Sequence, residues 1–263
     1  SASSIALYGM VRDSLKEAKY YDVWDVKTYG VDDIPALLKS YNGVVEATGD
    51  GGYADLTKFA GDWLATGTPA NPKSWFWSDQ DHLASAKGLP DSIAFTDDDS
   101  HAKYFGVKAL FDRDYPYKLN GNTNVTTPWQ LELVAKTDAV FGYIDAKMKS
   151  DTTTFWYDPY HEWIPFLNRM DELAPTATAT VLVKDKKYNS KIVGVRNSAP
   201  DKSWNTVWLA FDYLSTDFRG DTSKTMGNDK KYKWILDVGN PASRFIKATT
   251  GVSQPNNVEP PCK

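Results

Sequence analysis

The chain has one cysteine, Cys262, and only three histidines, His82, His101 and His161, among 263 residues. A single thiol excludes an internal disulfide, and its place in a Pro-rich tail argues against a catalytic nucleophile. A structural zinc site of the Cys/His kind is excluded with it. Basic residues are outnumbered, 30 Lys and Arg against 34 Asp and Glu, for a net charge of −4 and a pI near 5.4. That balance argues against nucleic acid or an anionic membrane surface as a partner. The short basic clusters at residues 184–187 and 230–233 read as solvated turns or helix ends. No stretch approaches the roughly 18 apolar residues of a membrane-spanning helix, so membrane insertion is not expected.

What the chain has in plenty is aromatic surface: ten Trp and fifteen Tyr. Part of it fills a core, and the remainder suits surfaces that stack on sugars or on other proteins. With 41% hydrophobic residues, one large core is expected: a single α/β domain over 1–254 and an extended Pro/Asn-rich tail over 255–263. The start, Ser1-Ala2-Ser3-Ser4, reads as a processed or trimmed end. Abundant Thr, Asn, Gly, Trp and Tyr point to a secreted protein, extracellular or at a cell surface. Asn124-Val125-Thr126 fits a glycosylation sequon.

The stretch Asn71–Leu83 organises the rest. Trp75-Phe76-Trp77 reads as a buried strand, Ser78–Asp81 as a polar turn, and the residues to about Gly88 as weakly helical. Upstream, Leu56, Phe59, Ala60, Trp63 and Leu64 fall at helical spacing, and Tyr41–Ala47 reads as a strand entering the glycine-rich turn at 48–52. Helix, buried strand, turn and helix is the grammar of an open, mostly parallel sheet with helices on both faces. Helices are also expected over Ile5–Lys19, from Asp32 or Asp33 through Leu38, over Trp163–Leu173 and over Thr222–Val238. Strands are expected over Tyr21–Val26, in a hairpin of Ala177–Val183 with Lys191–Asn197, and over Asn205–Phe211. Residues 107–160 read as a β-rich insertion on the sheet's edge, with strands at Trp129–Val134, Ala139–Ile144 and Thr152–Tyr157.

Ligands in such sheets sit at the carboxyl ends of the strands, which directs attention to Ser78. A serine at a strand-to-helix turn is the placement of a hydrolase nucleophile, and His82, four residues on, is the nearest base. The flanking Phe76 and Gln80 are too large for the strained elbow that chemistry requires. Asp97, Asp99 and His101 offer metal-ligating residue types without a known spacing; a solvated helix cap is the better account of the acidic run Asp97-Asp98-Asp99. His161 with Asp158 and Glu162 is a second such set. No cofactor fingerprint is present. Trp129, Trp156, Tyr157, Tyr160 and Trp163 are the candidates for stacking on a polysaccharide.

The order of the pieces resembles a class of bacterial extracellular domains with the fold of class I glutamine amidotransferases, a flavodoxin-like arrangement. Residues 21–26 and 38–45 are similar to the opening of these domains. Trp75-Phe76-Trp77-Ser78-Asp79-Gln80-Asp81 is similar to their strand followed by Ser-Gly-Gln-Asp, with Asp79 in place of Gly. Lys103–Val107 and Thr206–Asp212 resemble two later elements. The resemblance implies a degenerate active site, because the amidotransferase cysteine is absent and His161-Glu162 lacks the His-x-Glu spacing. It also implies a first strand that this sequence does not contain: trimmed away, removed by proteolysis, or supplied by another chain, the last being physically attractive because the neighbouring strands would otherwise be left unpaired.

Three functions follow as expectations. The first is a non-catalytic interaction or structural module, self-associating or taking a strand from another chain in a filament or surface layer. The others are a carbohydrate-binding module using exposed Trp and Tyr, and a serine hydrolase centred on Ser78.

Overall fold

The computed structural model describes residues 22–50, 56–80, 82–85, 91–112, 129–135, 137–138, 141, 154–157, 171–185, 191–211, 216–217 and 241–251. At its centre is β2 (Lys73–Gln80). Every residue from Lys73 to Asp79 is buried, so both faces and both edges of this strand are covered. It lies between β1 (Gly43–Asp50) and β10 (Trp204–Leu209), parallel to each. The sheet then continues antiparallel through β9 (Ile192–Ser198), β8 (Thr180–Asp185), β5 (Trp129–Leu133) and β6 (Thr154–Tyr157) to the two-residue β11 (Thr216–Asp217).

The fold is therefore α/β, but its eight-stranded sheet, in the order β1-β2-β10-β9-β8-β5-β6-β11, is mixed and not mostly parallel. Only the β1–β2–β10 end is parallel. The reason is local: β8, β9 and β10 are joined by short connections, which return the chain antiparallel, whereas β1 and β2 are separated by a helical crossover. A second, antiparallel sheet is built from β3 (Ser92–Ala94), β4 (Val107–Phe111) and β7 (Glu172–Pro175). The insertion read over 107–160 is thus divided between two sheets. The flavodoxin-like assignment stays a matter of resemblance.

Alternation along β2 sets the two faces. Trp75, Trp77 and Asp79 share one face, and Ser74, Phe76 and Ser78 the other. The first face packs against α3 (Thr57–Leu64) and α4 (Ser100–Lys103). Trp63 meets Trp75 edge-on at 5.7 Å, Phe105 meets Trp77 at 5.3 Å, and Trp77 stacks on Trp208 at 4.2 Å and 17°. All of these rings are buried, and each contributes on the order of a few kcal/mol through area removed from water. On the second face lies α5 (Pro241–Thr250), with Phe245 against Phe76 and Thr249 hydrogen-bonded to Ser74 at 2.7 Å. Gly43 admits this helix: a Cβ there would lie 2.4 Å from the Ile246 side chain.

Several boundaries differ from expectation. The strand expected at 21–26 is, from residue 22, an irregular lead into the short helix α1 (Val26–Tyr29). Asp25 caps that helix, accepting from the Lys27 N–H and the Thr28 hydroxyl. A second short helix, α2 (Ile34–Leu38), follows Asp33 with Pro in its first turn. The end of the helix expected over 163–173 is strand β7, drawn into register with β4. The helices expected at 5–19 and 222–238 lie outside the described residues, as does the strand at 139–144 apart from Phe141.

Candidate functional site

Carboxyl ends of parallel strands gather polar groups, and β2 does so at Asp79. This carboxylate is buried, with Oδ1 accepting from the Thr48 hydroxyl at 2.5 Å and Oδ2 bonded to His82 Nδ1 at 2.6 Å. His82 opens a 3-10 turn, His82–Ser85, which folds its ring back over the strand end. The same turn is fixed by the buried Asp171, whose Oδ2 accepts from the Leu83 N–H at 3.1 Å.

Aromatic rings enclose the pair. His82 meets Trp77 edge-on at 5.1 Å and Trp208 at 5.7 Å, and the His101 ring lies 5.8 Å away. His101 comes from α4, stacks on Phe95 at 4.0 Å and 6°, and reaches Thr57 Oγ1 at 3.4 Å. Among the described residues the buried indole N–H groups of Trp77 and Trp208 have no hydrogen-bond partner. Perpendicular packing of Phe105 on Trp77 and of His82 on Trp208 is the arrangement in which an N–H can point at a π-face.

An Asp–His pair orients an imidazole and stabilises its cation, which is what a general base requires. Here the partner for that chemistry is misplaced. Ser78 lies inside β2, paired with Ala47 on one side and Leu209 on the other, and not in a turn. Its neighbour Asp79 points to one face and Ser78 to the other, where its hydroxyl donates to the Phe211 carbonyl at 2.8 Å. Ser78 and His82 are therefore separated by the sheet. Thr48 is on the correct side, but its hydroxyl donates to the aspartate and not to the imidazole. The arrangement ties β1, β2 and the 3-10 turn together.

The candidate metal residues are not brought together. Asp99 precedes α4 and is exposed; its carboxylate accepts from the Thr96 N–H at 2.7 Å and the Thr96 hydroxyl at 3.0 Å and makes no capping bond to the helix. Asp97 is exposed, whereas the His101 ring is turned into the core. Among the described residues no three His, Cys, Asp or Glu side chains could share an ion. The second set, Asp158, His161 and Glu162, lies outside the described residues. Of the stacking candidates, Trp129 and Tyr157 are backbone partners on β5 and β6, with Trp156 opposite Gln130. Their side chains, and Tyr160 and Trp163 altogether, lie outside what is described.

Two features were not singled out in the sequence. Lys73 is buried, and its Nζ donates to the Tyr41 carbonyl and to Asn42 Oδ1, both at 2.7 Å, with the Trp63 ring face at 5.3 Å. Its described contacts are neutral acceptors, and burial lowers its pKa below the ordinary lysine value. The other feature is Asp79 with Thr48. The signal for it was available: a carboxylate three residues before a histidine, on the same strand face as Trp75 and Trp77.

No protein-family model matches the chain, and no curated protein matches it.

Proposed function

We propose that this protein is a non-catalytic extracellular structural or interaction module whose sheet takes a strand from another chain. The observation that carries the reading is the edge at β1. Among the described residues β1 has a strand neighbour on one side only. Its residues Val44, Val45 and Ala47 are half-buried, while their partners on β2, Trp75, Phe76 and Ser78, are fully buried. Edge strands in stable monomers are commonly protected by proline, by outward lysine or by a covering element. The segment Gly43–Ala47 has neither residue type, and its one charged side chain, Glu46, is buried and accepts from the Trp75 indole at 2.9 Å. Such an edge offers backbone groups for strand addition, with Val and Ala side chains to pack on either face of the incoming strand.

The separation of Ser78 from His82 removes the support that the residue types lent to serine hydrolysis. The test is the assembly state of natively isolated protein, by light scattering across a dilution series with negative-stain microscopy. Filaments or regular oligomers are expected, and they should be lost when Val44 and Val45 are both replaced by lysine. A monomer of the chain's own 29.4 kDa at every concentration overturns the reading.

A further inference from the structure

We propose that Trp24 and Tyr29 form a stacking platform for a neutral sugar chain, a site that does not depend on the assembly reading. Tyr29 is 62% exposed and Val23 51% exposed, the two exposed large hydrophobic side chains among the described residues. One exposed ring is ordinary on a protein surface. This one is held in a fixed pose. Tyr29 packs against Trp24 with centroids 5.0 Å apart and planes at 42°. Trp24 is anchored in turn, half-buried against the core, with its indole N–H donating to the Gly30 carbonyl at 2.8 Å. Gly30 has φ of 74°, a left-handed conformation that suits glycine, and its N–H closes α1 on the Val26 carbonyl at 2.9 Å. At the other end Asp25 caps the helix, and the Thr28 hydroxyl holds its carboxyl below the usual carboxylate range. The turn that carries both rings is therefore tied at each end, and little side-chain freedom remains to be lost on binding.

The size and charge of the patch decide its ligand. A specific protein interface needs about 800 Å² from each partner, far more apolar surface than two side chains expose. A pyranose ring is the right scale: one C–H face for the aromatic ring, and hydroxyls around its rim for polar neighbours. The exposed side chains beside the pair supply these, Asp22, Lys27, Thr28, Asp32 and Asp33. Three of the five are acidic, and this excludes polyanions such as nucleic acid or acidic polysaccharide. The geometry fits a neutral glycan lying across Tyr29.

The test uses the full chain with cellohexaose, chitohexaose and maltohexaose as probes, titrated by isothermal calorimetry. At least one should bind, with affinity falling about tenfold in Tyr29→Ala and Tyr29→Gln and staying within about twofold in Tyr29→Phe, which keeps the ring. Unchanged far-UV circular dichroism in both truncations would tie the loss to the ring. Failure of all three probes to bind overturns the proposal, and so does binding that both truncations leave intact. Either result leaves the assembly test untouched.

Discussion

Replacing Thr48 by valine exchanges a hydroxyl for a methyl with little change of shape or strand propensity, so it isolates the bonds of that hydroxyl, of which the contact with the Ser78 carbonyl at 3.4 Å is the weaker. The stronger is the donation to Asp79 Oδ1, at 2.5 Å onto a carboxylate buried to 1% exposure. The second oxygen is occupied by His82 at 2.6 Å, so the geometry provides no described donor to replace the lost one. A hydrogen bond to a charged group contributes about 1.5–3 kcal/mol, and the desolvation cost of the abandoned oxygen places this case within that range. For a chain of this size the corresponding fall in thermal midpoint is about 3–12 °C. Urea denaturation is the assay, with Thr48→Ser as the control that keeps the hydroxyl. The expected result is a lower midpoint for Thr48→Val at an unchanged slope, with Thr48→Ser nearer to wild type. Two outcomes would refute the reasoning: a Thr48→Val cost below about 0.5 kcal/mol, or a Thr48→Ser variant as unstable as Thr48→Val.

Ser78→Ala removes the donation to the Phe211 carbonyl and should cost about 1 kcal/mol in urea denaturation; any hydrolytic activity of the wild type should survive it. Gly67→Ala should be costly, about 1–3 kcal/mol or more by thermal unfolding, because its Cβ would lie 2.1 Å from the Ser203 carbonyl oxygen. Lys73 predicts a pH trend. Its folded pKa is lowered, so between that value and the ordinary 10.5 the unfolded chain holds a proton that the folded chain has shed. Stability therefore rises with pH across that window, and the full cost of the buried ammonium is present below it. Against Lys73→Met, the wild type should gain relative stability from neutral pH towards 10.5; a difference that is flat or slopes the other way would exclude this account.

Strong periodicity made the parallel core legible. Leu56, Ala60, Trp63 and Leu64 marked α3, and the unbroken Trp75-Phe76-Trp77 run marked β2, because a strand buried on both faces has no polar alternation to hide it. The hairpin of β8 and β9 was visible from its polar tip at 184–189. Direction was not legible. Nothing in the Val- and Trp-rich pattern of Trp204–Leu209 says that β10 joins β2 in parallel and β9 antiparallel, since pairing partners are chosen by tertiary contacts. Glu172–Pro175 read as the end of a helix because Leu173 fits a helical stripe, yet the open edge of β4 captures it. Helix α5 was missed, although Ala242, Phe245, Ile246 and Thr249 fall at helical spacing after Pro241.

The candidate site was half legible. Ser78 and His82 were noticed as a pair because of their residue types and spacing, but the turn expected at Ser78 was misplaced by pairing on both sides of β2. Extending the strand three residues past Trp77 puts Ser78 and Asp79 on opposite faces, and the acid that meets His82 becomes Asp79. Tyr29 was equally hidden: the apparent alternation of residues 21–26 suggested a strand, and only the capped turn sets its ring outward.

The side of β1 that pairs with no strand among the described residues also has a symmetry consequence. If β1 pairs with β1 of a second copy about a twofold axis, the two strands run antiparallel, each edge consumes the other, and the assembly stops at a dimer. If a different segment of the next molecule adds to it, donor and acceptor surfaces are distinct. Each subunit then leaves one of each exposed, and the chain of molecules has two unlike ends. An object grown in that way is polar, like a one-way street, and its two ends should elongate at different rates.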